Sequence, residues 1–223
     1  MKKLLTFLTT LNNLTQIPRS GGIAFAGIPA SDLHTISDHS FMGASISLIL
    51  AKYLNKKDHK LNIEHIITYS LLHDWTDIIM LDIPTGSPSY QSYFEEPIRD
   101  IFKKAEGKAE AEIVNYLSEY IDDDMFSEKL TSDERTVVEI ADISCLLLEV
   151  LSWKYSGKKY DWFDYLWSNT VKRLEEKIKN SFPELKPLIT ELETQYKTGT
   201  KPYNPFLTKE EFQTFKKNRN PVV

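Results

Sequence analysis

The sequence predicts an all-α protein, and three observations support this prediction. Apolar residues recur at helical spacing through most of the 223-residue chain. Several of these segments begin with residues that cap helices well, and the clearest case is a capping box that runs from Thr131 to Glu134. The segments 41–50 and 137–151 are apolar on most or nearly all sides, which is typical of helices in the middle of a bundle. We therefore expect a helical bundle with two central helices.

Length and composition favour one domain, with residues 1–180 as its helical core and residues 181–223 as a C-terminal helical extension and tail packed on it. The chain is 41% hydrophobic with a net charge of −5, and no block of lysines and arginines stands out. This pattern argues against a nucleic-acid polymer as a partner. No apolar stretch has the length that crossing a membrane requires. Cys145 is the only cysteine and lies in an apolar run, which indicates a packed thiol and a reducing, cytoplasmic setting.

The N-terminal region is predicted to contain an amphipathic helix followed by a loop. Glycines and prolines end the helix and extend the loop to about Ser31. Arg19 lies in this loop, where its planar guanidinium could make a two-point contact with a phosphate. A surface arginine at a helix end is an equally good interpretation of the local sequence. The buried face of the first helix is predicted to consist of Leu4, Leu8, Leu11 and Leu14.

A second helix is predicted over residues 37–54, because Ser37 and Asp38 are good cap and first-turn residues. His39 falls in the first turn of this helix. A lone histidine there is more often a core or capping group than a metal ligand. His59, in the lysine-rich loop that follows, is predicted to be solvated.

The third predicted helix, residues 62–81, contains the stretch that is most informative about function. His73, Asp74 and Asp77 interrupt its apolar sequence, and Asp82 falls where it ends. Buried polar groups without partners are costly, and a bound metal ion would compensate them. His73 and Asp77 are four residues apart and share a helix face, while Asp74 lies on the adjoining edge. One ion above that edge could be reached by His73 and Asp74, with Asp77 one turn on, near a metal-bound water.

Asp142 is a second acid in apolar surroundings, since it lies inside the run 137–151. A carboxylate in that position needs a cation, a metal ion or several donors, and the sequence leaves a salt bridge and a metal site equally open.

The remaining segments are predicted to support the fold. They are a polar loop at 86–94 covering a pocket, a helix at 95–120 broken near Gly107, a solvated acidic turn at 122–124, an aromatic segment at 153–167, helices at 170–180 and 183–196, and a peripheral tail at 201–223.

These residues together resemble the HD superfamily of metal-dependent phosphohydrolases, in which a histidine is followed by a His-Asp pair and then by a distant aspartate. Among its branches, the sequence is most similar to the one that contains the 5'-deoxynucleotidases. The resemblance covers roughly residues 10–155 and implies an HD-domain helical bundle. It is carried by Pro18-Arg19-Ser20-Gly21, Ser37-Asp38-His39-Ser40, Leu72-His73-Asp74, Asp82-Ile83-Pro84-Thr85 and Ala141-Asp142.

The resemblance implies that His39, His73, Asp74 and Asp142 are the ligands of one divalent metal ion. Two imidazoles and two carboxylates suit Mn, Co, Ni, Fe or Zn, and Mg is a further candidate. Arg19 would hold the phosphate of the substrate through its guanidinium. The implied activity is hydrolysis of a nucleotide phosphate.

Two positions depart from the family pattern. Asp77 stands where relatives usually have a glutamate that positions the water, so its carboxylate is one methylene shorter, while Asp82 matches a second acid at the site. Residues 20–22 replace an aromatic residue that relatives tend to place after the arginine, where it crowds a ribose 2'-hydroxyl.

The predicted function is removal of the 5'-phosphate from (deoxy)nucleoside monophosphates. A deoxynucleoside triphosphate triphosphohydrolase is the alternative within the enzyme class. The second alternative is a catalytically idle HD scaffold that binds a nucleotide or a protein, although all four ligand positions are filled. Relatives are often homodimers, which makes a homodimer the expected assembly.

Overall fold

The structure is a computed structural model, and it describes residues 1–19, 28–82, 97–121, 130–160 and 162–199. Within these ranges the chain forms helices, with one isolated antiparallel bridge between Pro18 and Thr35 and no sheet. The predicted all-α class is therefore confirmed. The α-helices are α1 (Lys2–Leu11), α2 (Ile36–Asn55), α3 (Ile63–Leu72), α4 (Asp77–Met80), α5 (Ile98–Leu117), α6 (Ser132–Tyr155), α7 (Phe163–Ser181) and α8 (Lys186–Thr198), and 3-10 turns lie at Asn12–Thr15, Ala30–Asp32 and Pro183–Leu185.

The centre of the fold is formed by α2, α3 and α6, which pack against one another, and α7 covers the other side of α6. Both helices that were predicted to be central are therefore central. The apolar side chains between them are excluded from water, and this burial is the main favourable contribution to folding. Fully buried residues of this core include Leu54, Ile66, Ile140, Leu147 and Leu174.

Helix α1 packs against α5 and the first 3-10 turn, but its buried face differs from the predicted one. Phe7 is buried and contacts the ring of Trp75, with 5.4 Å between the ring centroids. Leu8 is 51% exposed, and Leu14 is buried from the 3-10 turn rather than from α1. The prediction was wrong for Leu8, because the aromatic side chain of Phe7, one position earlier, buries more apolar surface. Leu11, also on the predicted face, packs half-buried against the same cluster as Phe7.

Helix α2 begins one residue earlier than predicted, and its cap is Thr35 rather than Ser37. The Thr35 hydroxyl accepts a hydrogen bond from the Asp38 N–H at 3.2 Å, and the Asp38 carboxylate accepts one from the Thr35 N–H at 3.0 Å. The two bonds satisfy donors that a helix start otherwise leaves without partners. The predicted capping box from Thr131 to Glu134 at the start of α6 is confirmed.

The predicted helix 62–81 is interrupted. Helix α3 ends at Leu72, residues 73–76 form a turn, and α4 follows. In the turn the hydrogen bonds span three residues, as between the Asp77 N–H and the Asp74 carbonyl at 3.1 Å. The Ser70 carbonyl, which a continuing helix would offer to the Asp74 N–H, accepts a hydrogen bond from His73 Nδ1 at 3.1 Å. A side chain that competes for a backbone acceptor in this way is a physical reason for the interruption.

Two smaller predictions also need correction. Helix α5 runs through Gly107 without a break. His59, which was predicted to be solvated, has its Nε2 at 2.6 Å from the Glu184 carboxylate, and its ring lies 5.2 Å from that of Phe182. Cys145 is 7% exposed, which confirms that it packs as part of the core.

The C-terminal helix α8 packs on α6 and α7, and it buries Ile189 and Leu192 in the central core. The predicted division of the chain at residue 180 stays a prediction. Among the described residues, no helix is both long enough and apolar enough to traverse a lipid bilayer. The predictions for residues 20–22, 83–96, 122–124 and 201–223 lie outside the described residues.

Candidate metal and phosphate site

Three of the predicted metal ligands meet where α2 passes the end of α3. His39 projects from the first turn of α2, while His73 and Asp74 form the start of the turn after α3. The Asp74 carboxylate lies between the two rings, with Oδ1 at 3.3 Å from His73 Nε2 and Oδ2 at 3.6 Å from His39 Nε2. One ligand atom from each residue falls within 4.8 Å of the others, which is the spacing of a group that could hold one ion.

The fourth predicted ligand, Asp142, comes from α6 and approaches the same nitrogen of His39, but it is not one of the three residues whose ligand atoms group together. Its Oδ1 lies 2.9 Å from His39 Nε2 and 2.8 Å from the Arg19 guanidinium. Arg19 also reaches Asp74, at 3.6 Å. The salt bridge that the sequence left open for Asp142 is therefore present, and its partner is the predicted phosphate-binding arginine.

The surroundings of two buried atoms, His39 Nε2 and Asp74 Oδ2, fit a cation at this site. His39 is 4% exposed, and its buried Nε2 faces the Asp142 and Asp74 carboxylates without a hydrogen bond of regular geometry to any described residue. Asp74 Oδ2 is buried in the same way. Leaving such atoms without partners costs free energy. A divalent ion held by these residues would give both atoms a partner.

His73 is oriented by its own backbone. Because its Nδ1–H donates to the Ser70 carbonyl at 3.1 Å, its Nε2 keeps a free lone pair on the side of Asp74. The ring also stacks on Tyr69, with 5.9 Å between centroids and 15° between planes. A backbone contact that fixes the tautomer and orientation of an imidazole is a regular feature of metal-binding histidines.

The charges at the site are strongly coupled. Burial raises the pKa of Asp142, but contacts with His39 and Arg19 outweigh this effect and bring that pKa below the ordinary range. Burial lowers the pKa of Arg19, but the carboxylates of Asp142, Asp74 and Asp82 outweigh this effect and raise it. Asp142 is thus held as a carboxylate and Arg19 as a cation.

Asp77 and Asp82 interact electrostatically with this group. Asp77 is the first residue of α4, and burial, followed by the charges of Asp74 and Asp82, raises its pKa to about 7. Asp82 follows Leu81, whose φ of 62° is unusual for a residue with a side chain. The charges of both acids act on the ion-pair group, Asp77 through Asp74 and Asp82 through Arg19.

Sequence reasoning missed a basic pocket of about 280 Å³ beside the site, between α3, α6 and α7. His73 and Asp142 form part of its wall, and Tyr69 contributes an aromatic face. Isolated basic residues carry no sequence pattern, so nothing marked them in advance. The cations that line the pocket are Arg135, Arg173 and Lys177.

Sequence reasoning also missed Glu149, which is 4% exposed on α6. Its Oε1 accepts a hydrogen bond from the His34 N–H at 3.0 Å. The signal that selected Asp142, an acid within the apolar run 137–151, applies equally to Glu149 and could have identified it.

Comparisons with known proteins agree with the geometry. Residues 6–196 match a family described as 5'-deoxynucleotidase YfbR-like. A 5'-deoxynucleotidase from Vibrio atlanticus is 30% identical over 161 residues, which are 70% of this chain and 78% of that protein. A conserved hypothetical protein from Pyrococcus furiosus has a similar structure, with a TM-score of 0.63 and 26% identity over 85% of this chain and 99% of that chain.

The fold is that of a further solved structure, an HD-domain phosphohydrolase from Listeria innocua. It superposes with a TM-score of 0.62 over 88% of this chain and 99% of that chain, at 18% identity. The predicted HD-domain bundle is thereby confirmed. Because the family match spans most of the sequence, the chain belongs to the YfbR-like 5'-deoxynucleotidase family.

Proposed function

We propose that this protein removes the 5'-phosphate from deoxynucleoside monophosphates, with a divalent metal ion held by His39, His73, Asp74 and Asp142. Family membership confirms the predicted class of enzyme, a phosphohydrolase that acts on nucleotide 5'-phosphates. The observation that carries the metal-dependent form of the proposal is the pair of buried atoms His39 Nε2 and Asp74 Oδ2, which lie among charged groups and make no hydrogen bond of regular geometry to a described residue. Each would complete its bonding on the ion.

A divalent ion in this setting supplies Lewis acidity and lowers the pKa of a coordinated water. The two imidazoles and two carboxylates suit Mn, Co, Ni, Fe or Zn, with Mg as a further candidate. The contact between His73 Nδ1 and Ser70 leaves His73 Nε2 free to act as a ligand.

Arg19 is proposed to bind the substrate phosphate. Its guanidinium lies against Asp142 and Asp74, so it stands at the edge of the proposed ion site. A guanidinium offers several N–H donors in one plane and can contact two phosphate oxygens at once. Arg19 would therefore orient the phosphorus centre and offset its charge.

Asp77 is proposed to handle the proton of the attacking water, and Asp82 to orient the substrate or assist proton transfer. In the metal-free protein, burial and the charges of Asp74 and Asp82 raise the pKa of Asp77 to about 7, so this carboxyl group can take up a proton near neutral pH. Asp77 has one methylene less than the glutamate that relatives usually carry, and its entry into α4 from a turn gives its backbone a different path from that of a continuous helix.

The test is phosphate release from a panel of nucleoside and deoxynucleoside mono- and triphosphates with Mn, Co or Mg. We expect turnover of deoxynucleoside monophosphates, and we expect Asp74→Ala to lower kcat by about 100-fold or more, because the site loses a ligand. The matched control is Asp133→Ala, which removes an exposed acid from the first turn of α6. Unchanged turnover in Asp74→Ala would exclude the metal-dependent form of the proposal.

The basic pocket favours one second candidate, hydrolysis of deoxynucleoside triphosphates. Lys177 forms an ion pair with Glu139, and Arg135 lies 5.9 Å from the ring centroid of Tyr69. Arg173 lines the same pocket and could receive further phosphates next to His73. If this candidate holds, Arg173→Ala should raise KM for triphosphates and leave KM for monophosphates unchanged. Equal KM values in wild type and variant would exclude it.

A cytoplasmic setting and a homodimer stay predictions. Sedimentation equilibrium of the purified chain tests the second, and a concentration-independent monomer mass would contradict it.

A further inference from the structure

We propose that Glu149 is a positioning residue, which fixes Arg19 for phosphate binding through the backbone of His34. The inference rests on the role proposed above for Arg19. It extends the site to a buried acid on α6 that is neither a proposed metal ligand nor the proposed phosphate-binding side chain.

A short series of hydrogen bonds links the two residues. Glu149 Oε1 accepts from the His34 N–H at 3.0 Å, and the His34 carbonyl accepts from the Arg19 N–H at 2.8 Å. The segments that contain Arg19 and His34 are also joined next to these residues. Pro18 and Thr35 form the isolated bridge, and the Ile36 N–H donates to the Ile17 carbonyl at 2.9 Å. The backbone of Arg19 is thus paired with a segment that Glu149 holds.

The side chain of Arg19 is held by the same helix. Asp142, which contacts the guanidinium at 2.8 Å, precedes Glu149 by seven residues on α6. Seven residues are about two helical turns, so both acids lie on nearly the same face of α6, about 10 Å apart along its axis. One helix therefore fixes Arg19 at two points, its guanidinium directly and its backbone through His34.

The burial of Glu149 makes its hydrogen bond with the His34 backbone important. At 4% exposure its carboxylate has little water to accept from, so a backbone N–H is a valuable partner. His34 Nδ1 lies farther from the carboxylate, at 3.8 Å, which leaves the backbone contact as the closer one.

A second anchor on the same segment provides a control. The Asp32 carbonyl accepts from Trp153 Nε1 at 2.8 Å, and the Asp32 carboxylate contacts Tyr160 and Lys158. Asp32 lies two residues before His34, and its contacts are separate from the two hydrogen bonds that link Glu149, His34 and Arg19. Tyr160→Phe removes one of its hydrogen bonds while it leaves the Glu149 series intact.

The first experiment measures amide hydrogen exchange in the full-length protein by NMR. Glu149→Met replaces the carboxylate by a side chain of similar length without an oxygen, and we expect the Arg19 and His34 amides to exchange about fivefold faster or more. Glu149→Gln keeps an acceptor oxygen and should exchange like the wild type at both positions. Tyr160→Phe should leave the Arg19 amide unchanged. Unaltered exchange of Arg19 in Glu149→Met overturns the proposal.

The second experiment separates positioning from general destabilisation by kinetics. Glu149→Met should raise KM for the nucleotide, and weaken inhibition by inorganic phosphate, by about fivefold or more while kcat changes less. Glu149→Gln should restore both values. In an Arg19→Ala background, Glu149→Met should add no further increase in KM, because its effect passes through Arg19. Additive increases in KM, or a Gln variant as impaired as the Met variant, overturn the proposal.

The two experiments distinguish this inference from the proposed function. If no nucleotide is turned over by the wild type, the proposed function fails, and the exchange rates alone decide whether Glu149 orders the backbone of Arg19.

Discussion

Asp77 and Asp142 differ in the direction in which their surroundings shift the pKa. Burial and two neighbouring carboxylates raise the pKa of Asp77 to about 7, whereas Arg19 and His39 hold Asp142 ionised. Acids placed close together separate in pKa when their surroundings differ, and the one with the higher pKa can carry a proton. In this site that residue is Asp77.

This charge state predicts a pH-dependent stability of the metal-free protein. The pKa of Asp77 is higher in the fold than its ordinary value of 3.8, so the fold favours the protonated form. The stabilising contribution is complete below pH 4 and is lost as pH rises through 7. Asp77→Asn removes the cost of ionisation and should raise the free energy of unfolding by more than about 1 kcal/mol at pH 8, with little effect at pH 4.

Urea unfolding at the two pH values checks this prediction. Asp100→Asn, which changes an exposed acid at the start of α5, is the control and should behave like the wild type at both. A variant Asp77→Asn that is no more stable than the wild type at pH 8 would contradict the prediction.

Individual site residues were predictable where their chemistry conflicted with their surroundings. His73, Asp74 and Asp142 are ionisable groups in apolar sequence, and the structure brings them together with His39 and Arg19. Which of their atoms meet was not predictable, because the contact between Arg19 and Asp142 joins residues 123 positions apart. No local pattern encodes such a distance.

At the scale of elements, helices were predictable and their interruptions were not. Apolar spacing continues from α3 into α4, so periodicity alone gives one helix. At the interruption, the ring of His73 donates to the Ser70 carbonyl, a side-chain contact that apolar periodicity does not encode. In α5 the opposite error occurred: Gly107 led us to predict a break, but the helix is continuous there.

Gly107 gives a stability prediction for α5. A Cβ added there would meet no atom within 4 Å, so alanine fits the folded state without a clash. Alanine also restricts the unfolded chain and favours the helix, so Gly107→Ala should raise the free energy of unfolding by about 0.5–1 kcal/mol.

Gly157 is the contrasting control, because it has the same open surroundings but a φ of 76°. Alanine is strained in that conformation, so Gly157→Ala should lower stability. Thermal unfolding of both variants measures the difference. Equal effects of the two substitutions would show that backbone conformation does not decide the outcome.

At the scale of the whole molecule, the proposed metal site lies where the central helices meet. His39 comes from α2, His73 and Asp74 follow α3, and Asp142 comes from α6. These three helices also form the centre of the core. An ion bound there would link the elements on which the fold depends, so metal binding and folding should be coupled.

This coupling predicts that metal stabilises the protein against heat. A ligand at 100 times its Kd that binds only the folded state adds about 2.7 kcal/mol, which for a chain of this size raises Tm by roughly 5–10 °C. Mn or Co should produce this shift in the wild type, and a chelator should reverse it. Asp74→Ala should show little shift, while Asp133→Ala should behave like the wild type. Equal shifts in both variants would place the stabilising ion elsewhere.

The seven-residue spacing of Asp142 and Glu149 on α6 determines where the two acids lie relative to each other. A single residue inserted between them would rotate one acid about 100° away from the other around the helix axis. The two attachment points of Arg19 would then face different neighbours, even if every side chain of the site were kept. Insertions and deletions in this one stretch of α6 should therefore be far more damaging to phosphate binding than the same changes beyond residue 155.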